Sequence, residues 1–160
     1  MGQSSGIDLS VTGTVPLYKI GQLYVDPNGV EWRYVKGAAT IAQYETCAIS
    51  KDGNYTCVLL DTDTTGHGAG KSQSLGVPQI SAGLTSTTYA WVFVGCGPLT
   101  IKVLANCAAD ASLYATSTGG ALDDTSTTTL IPGLSIITVN GGSTATAAAW
   151  ATGRLMTAGI

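Results

Sequence analysis

Short runs that alternate apolar with polar residues, cut at close intervals by glycine-rich turns, leave a chain like this few folds to choose from. Val30-Glu31-Trp32-Arg33-Tyr34-Val35-Lys36 is one such run, rich in β-branched and aromatic residues. Period-two patterning of this kind places successive side chains on opposite faces of a strand, whereas an amphipathic helix needs a period near 3.6. The same signal recurs from residue 19 to the C-terminal region. The expected fold is therefore all-β, a compact antiparallel β-barrel or sandwich of short strands.

The turns set the order of the strands. Lys19–Val25 and Val30–Lys36 flank Asp26-Pro27-Asn28-Gly29, where Pro27 presets its φ and Asn28-Gly29 accepts positive φ, so a hairpin is expected. On its return strand Val30, Trp32 and Tyr34 share one face, and Glu31, Arg33 and Val35 the other. Lys51-Asp52-Gly53 joins Glu45–Ser50 to Asn54–Leu60. Val77–Ile80 reads as a short strand. Gly95-Cys96-Gly97-Pro98 reads as a turn between Tyr89–Val94 and Leu99–Leu104, and Ser117-Thr118-Gly119-Gly120 as one between Leu113–Thr116 and Ala121–Asp123. Ser135–Val139 precedes Asn140-Gly141-Gly142, and Arg154–Ile160 supplies a last strand. Ser143–Thr152 has caps suited to a helix, but its Thr/Ala alternation favours a strand or irregular structure.

At 160 residues the chain suits one domain. Residues 1–14 read as an extended N-terminal arm with apolar Ile7, Leu9 and Val11, and residues 15–160 as a single β-rich domain. The first residues show neither a basic start nor an apolar core, so no secretory signal is expected. No apolar run is long enough for a membrane helix, and no membrane partner is expected. Net charge is −3, which disfavours a phosphate-tracking surface and hence nucleic acid as a partner. Only 11% of residues are charged, against about 25% in ordinary soluble domains. A surface of Thr, Ser, Asn and Gly resists neighbours weakly, which suits life within an assembly.

Motifs that would carry chemistry are incomplete. Thr65-Gly66-His67-Gly68-Ala69-Gly70-Lys71-Ser72 resembles a phosphate-binding loop, but Thr65 stands at the first glycine and Leu75-Gly76-Val77-Pro78 cannot continue a helix. Asp61 and Asp63 open a calcium-loop pattern that lacks the closing bidentate carboxylate at Ser72. Asp123-Asp124 reads as a turn pair. His67, the single histidine, has no nucleophile-elbow serine to serve. Neither a cofactor, a resident metal nor a catalytic activity is expected. Asn54-Tyr55-Thr56 fits a glycosylation sequon by chance.

Cys47, Cys57, Cys96 and Cys107 lack zinc-site spacing. Buried free thiols are the ordinary reading for a cytosolic product. Cys47–Cys57 is the one bridge that geometry leaves open: a three-residue loop pairing Ser50 with Asn54 sets the two opposite each other, whereas a two-residue turn puts them on opposite faces. Cys96 and Cys107 should lie apart. Trp32, Tyr34 and Trp91 sit in alternating strands where core or interface packing is expected; stacking of the tryptophans, Trp150 included, on carbohydrate is the alternative.

Three stretches, in order, resemble the decoration or cement proteins of tailed double-stranded DNA bacteriophage heads. Glu31-Trp32-Arg33-Tyr34-Val35-Lys36-Gly37-Ala38-Ala39-Thr40-Ile41-Ala42-Gln43-Tyr44 is similar to that family's Y-x-Y-V-[KQ]-A and apolar step. Thr88-Tyr89-Ala90-Trp91-Val92-Phe93-Val94-Gly95-Cys96-Gly97 is similar to its Y-G-W-V-Q-x-x-G. Val103–Tyr114 running into Thr118-Gly119-Gly120-Ala121-Leu122-Asp123-Asp124 is similar to its A-A-D-x-P-L-Y…T-x-G-x-L-D-D. Ala90, Phe93 and Ser112 replace the usual Gly, Gln and Pro, and the chain after Thr125 departs from the pattern. The resemblance implies a β-rich virion protein on the outer capsid surface, assembled in the host cytoplasm. It implies docking on the major capsid protein, often as a homotrimer bracing neighbouring subunits. In that setting the arm residues Ile7, Leu9 and Val11 would add to a neighbour's sheet edge. The alternative class is a carbohydrate- or receptor-binding β-module of a fibre or spike.

Overall fold

Tyr89–Val103 is apolar at every position from Tyr89 to Val94 and on alternate positions from Leu99, and this 15-residue strand organises the molecule. A computed structural model describes residues 6–50, 52–62, 74–126 and 129–158. Among them the strands are β1 (Thr12–Gly13), β2 (Leu23–Val25), β3 (Glu31–Gly37), β4 (Cys47–Ile49), β5 (Thr56–Leu59) and β6 (Ser74–Gly76). They continue with β7 (Tyr89–Val103), β8 (Ser112–Ala115), β9 (Leu122–Asp123), β10 (Leu130–Ile136) and β11 (Ala145–Arg154). The described residues contain no helix, and so none long and apolar enough to cross a membrane.

The C-terminal half of β7 belongs to a closed barrel. β11 pairs with β7 from Ala145↔Val103 to Ala151↔Gly97, β10 pairs with β11, β8 with β10, and β9 with β8. β9 then returns to β7 in parallel through Val103↔Leu122, closing the ring. A five-stranded ring has a narrow interior, and the sequence of β11 is suited to it. Its inward positions are the small Ala147, Ala149 and Ala151, packed with Ile101, Val103, Leu113, Leu122, Ile131 and Ile136. Its outward positions are Thr146, Ala148, Trp150 and Thr152. Ser143–Thr152 is thus strand over most of its length, and the expected strand after Arg154 is replaced by a single bridge at Met156.

The N-terminal half of β7 builds a second ring. β3 pairs antiparallel with β7, β5 runs parallel to β3, and β4 and β6 follow antiparallel. Val77 then bridges back to Phe93 with hydrogen bonds of 2.9 and 3.0 Å. Val35, Ile41, Cys47, Ile49, Cys57, Leu84, Ala90 and Val92 fill its core. Alternation along β7 therefore sends Ala90, Val92 and Val94 into one core and Phe93, Leu99, Ile101 and Val103 into the other. Each fully buried aliphatic side chain contributes about 1.5–3 kcal/mol.

Three further sequence expectations need correction. Gly95-Cys96-Gly97-Pro98 is not a turn: β7 runs straight through it, with Cys96 at φ 60° and Gly97 at φ 139°. Register shifts opposite β11, between Ala151 and Arg154, and opposite β3, between Glu31 and Trp32, absorb the irregularity as bulges. A bulge bends and twists a strand without reversing it. Second, the Lys51–Gly53 loop is two residues longer in effect. Ser50 pairs with Thr56, not Asn54, because Asp52 gathers the Ser50 hydroxyl (2.7 Å), the Asn54 N–H (3.0 Å) and the Asn54 carboxamide (2.9 Å) into a loop of its own. Third, the short strand expected at Val77–Ile80 ends before it, at Gly76, leaving the Val77 bridge.

The Asp26–Gly29 hairpin forms as read: the Gly29 N–H donates to Asp26 O (2.9 Å), Gly29 has φ 83°, and Tyr24 faces Trp32. At the end of the arm Thr12 pairs with Ala90 and Gly13 with Tyr89.

Candidate functional site: surfaces and side-chain clusters

Tyr34 and Trp91, cross-strand partners on β3 and β7, are fully buried with ring centroids 5.3 Å apart. Tyr18 packs 5.2 Å from each, Tyr24 lies 6.1 Å from Trp91, and Tyr89 stacks on Tyr34 at 6.3 Å. Trp32 is half-buried, edge-on to Phe93 at 5.9 Å, and its indole N–H donates to Asp26 at 3.5 Å. All three sequence candidates thus serve packing within the chain. Edge and tilted pairs of this kind are worth about 0.5–1.5 kcal/mol beyond burial. The Leu17 N–H donates to the Tyr34 hydroxyl (3.2 Å), tying the segment before β2 to this cluster. Among the described residues the Trp91 indole N–H is buried without a partner.

Ile7, Leu9 and Val11 are half-buried and alternate with exposed Asp8, Ser10 and Thr12. The Asp8 carboxylate accepts the Ser10 N–H (2.9 Å) and hydroxyl (2.6 Å), which hold it below the usual carboxylate range. Just beyond the arm, Val15 and Leu17 are 68% and 65% exposed, a pair the alternation pattern did not single out.

The second exposed apolar region was also missed. Ile136 faces Ala149 and the Ile137 N–H donates to Ala148 O, so Ile137, Ala148, Trp150 and Pro98 share the outward face of β10, β11 and β7. Ile137, Val139 and Trp150 are 50%, 70% and 47% exposed. From Thr125 to Ile160 Arg154 is the one charged residue, and its guanidinium is held by Glu31 at 2.5 Å. The signal was present in the outward Ala148 and Trp150 of a strand whose inward positions are all alanine.

The thiols occupy two settings. Cys47 faces Leu59 and Cys57 faces Ile49, so the pair meets diagonally on one face of the β4–β5 hairpin rather than directly opposite. Both are free thiols inside the second core, where burial first, and then contact with Cys47, raise the Cys57 pKa. The Cys47 thiol donates to Gly76 O at 3.2 Å. Cys107 lies at the end of the first barrel, its sulfur 3.3 Å from Asp123. Cys107, Asp123 and Asp124 present one sulfur and two carboxylate oxygens within 4.8 Å of one another. Both carboxylates already hold the local backbone, since Asp123 accepts the Asp124 N–H (2.9 Å) and Asp124 accepts the Ala108 N–H (2.8 Å). Burial pushes the Cys107 thiol up to about 11, so with no cation beside it the sulfur stays protonated at neutral pH.

Asp61 is half-buried after β5. Asp63, His67 and the rest of the Thr65–Ser72 stretch lie outside the described residues. Asn54 is exposed, but its carboxamide is engaged by Asp52. A cleft of about 600 Å³ opens where the β2–β3 turn, the bulge of β7 and the outward face of β11 converge. No family model, curated protein or solved structure matches the chain.

Proposed function

We propose that this protein is a structural virion component that decorates the outer surface of a tailed-phage capsid, docked on the major capsid protein and bracing neighbouring subunits as a homotrimer. The observation that carries this reading is where the three ordered motifs fall. Tyr34 in the first motif pairs with Trp91 in the second. The third supplies β8 and β9, with Tyr114 opposite Asp123 and Leu122 back against Val103 of the shared strand. The resemblance therefore touches strands that pair with one another, β3, β7, β8 and β9, together with the loops that follow β3 and β7. A second support is the charge-poor outer face of β10 and β11, which can be covered by capsid or by another copy without stripping water from many ions.

The role is structural, with no catalytic step and no cofactor assigned to it. Quantitative mass spectrometry of purified virions tests it by counting copies of this chain per major capsid subunit. Near-stoichiometric copies and a trimer mass in solution or on the particle are expected. Absence from virions overturns the proposal. A handful of copies per particle instead favours the second reading, a carbohydrate- or receptor-binding module of a fibre or spike, whose support is the exposed indole of Trp150.

A further inference from the structure

The cleft at the bend of β7 has a chemistry that differs from the rest of the surface. Its walls come from three distant parts of the chain: Asn28 and Gly29 in the β2–β3 turn, Cys96 and Pro98 at the bulge, and Trp150 and Thr152 on β11. Trp150 stands opposite Pro98 with nearly half its surface exposed. The two bulges bend β7 here, so the turn rises beside the indole and makes a concavity where a regular sheet would be flat. A cleft of about 600 Å³ falls within the range of roughly 300–1,000 Å³ usual for small-ligand sites.

The polar groups in it are neutral. Asn28 is exposed, and among the described residues its carboxamide makes no hydrogen bond, although its backbone N–H is fixed by Asp26 at 2.8 Å. The Thr152 hydroxyl donates to Gly133 O (3.2 Å), which leaves its oxygen free to accept. Among the described residues no carboxylate, ammonium or guanidinium lines the cleft, and the nearby Arg154 and Glu31 neutralise each other. An anionic ligand would find no counter-charge, and the carboxylate of the same turn, Asp26, is turned to the Asn28 and Val30 N–H groups and the Trp32 indole. A pyranose has what the walls complement: a C–H face for the indole, and hydroxyl groups that both donate and accept for Asn28 and Thr152.

We infer that this cleft is a binding site for a neutral saccharide, stacked on Trp150 and oriented by the Asn28 carboxamide. The site goes beyond the decoration role and does not depend on it. A capsid protein and a fibre module could each carry it, so the virion count and the sugar titration can fail separately.

The test uses the full chain, ¹⁵N-labelled, titrated with the methyl glycosides of glucose, mannose, galactose and N-acetylglucosamine and with tetrasaccharides of the same sugars. The readouts are the indole N–H resonance of Trp150 and the carboxamide of Asn28. At least one series is expected to shift both saturably, its tetrasaccharide more tightly than its monosaccharide. Trp150→Ala should abolish the response. Trp150→Phe should keep it with weaker affinity, and Asn28→Ala should weaken it about tenfold, the loss of one hydrogen bond. Failure of every sugar to give a saturable shift overturns the inference, as does a shift that survives in Trp150→Ala. So does an indole resonance that broadens with protein concentration and is not relieved by sugar, because a second copy then covers the cleft.

Discussion

Gly95 stands where β3, β7 and β11 meet: it faces Glu31 on one side and Arg154 on the other. A methyl group placed there would lie 2.7 Å from the Arg154 Cα, 2.7 Å from the Gly153 carbonyl oxygen and 3.0 Å from the Arg154 nitrogen. All three are backbone atoms, so no side chain can rotate out of the way. Gly95→Ala must push β11 back by several tenths of an ångström, which strains the adjoining Leu155 N–H to Val94 O bond of 2.7 Å. Overpacking costs about 1–3 kcal/mol and a weakened hydrogen bond about 1 kcal/mol. The smaller entropy of an unfolded alanine returns about 0.5 kcal/mol. The net loss is about 1.5–3.5 kcal/mol, or a Tm lowered by about 3–14 °C for a chain of this size. Gly141→Ala is the control, because no atom lies within 4 Å of its added methyl; it should stay within about 0.5 kcal/mol. Calorimetry and urea titration of both variants measure the difference. Equal melting of Gly95→Ala and wild type, or an equal fall in Gly141→Ala, refutes the three-strand junction as the source of the constraint.

Asp52 is held at a pKa of about 2 by the Ser50 hydroxyl and then by Asn54. A depressed carboxylate contributes stability that is complete above its unfolded value of 3.8 and fades as pH falls toward 2. A carboxyl NMR titration should therefore show its midpoint near 2, and a midpoint near 3.8 would remove the loop bonds from the account. Thiol labelling of the native protein at neutral pH should mark half-buried Cys96 before buried Cys47, Cys57 and Cys107, and labelling of Cys107 at an equal rate would contradict its raised pKa. Intact mass with and without reductant should show at most a Cys47–Cys57 link; a Cys96–Cys107 link would contradict the fold. Deleting residues 2–14 should leave a cooperative melt and lower capsid occupancy, and unchanged occupancy would dismiss Ile7, Leu9 and Val11 as capsid contacts.

Strand identity was legible wherever alternation and turn chemistry agreed, as at Leu23–Val25 with Glu31–Gly37 and at Ser112–Ala115 with Leu122–Asp123. It failed at Gly95–Pro98, because glycine and proline serve a bulge as well as a turn. What decides between them is a partner strand some fifty residues later, β11, whose pairing with Gly97 and Gly95 carries β7 onward. Register failed at Lys51–Gly53 for a different reason. Asp52 binds both flanks of the loop, and one carboxylate can outweigh the usual preference for a short turn. Barrel closure left no local mark, since it rests on single long-range pairs such as Val103↔Leu122 and Val77↔Phe93. Of the candidate site residues, the aromatic core was readable from period-two patterning. The cleft was not, because its walls are contiguous only after folding.

The strand common to both rings also has a mechanical meaning. Two barrels joined by a linker can swivel, but two barrels that share one continuous backbone move as a single strut. Tension along β7 is met by its hydrogen-bond ladders with β3 and β11 loaded in shear, the direction in which many bonds must give way together. The one step where both ladders lose their regular register is the bulged stretch around Cys96 and Gly97, and it forms the wall of the cleft beside Trp150.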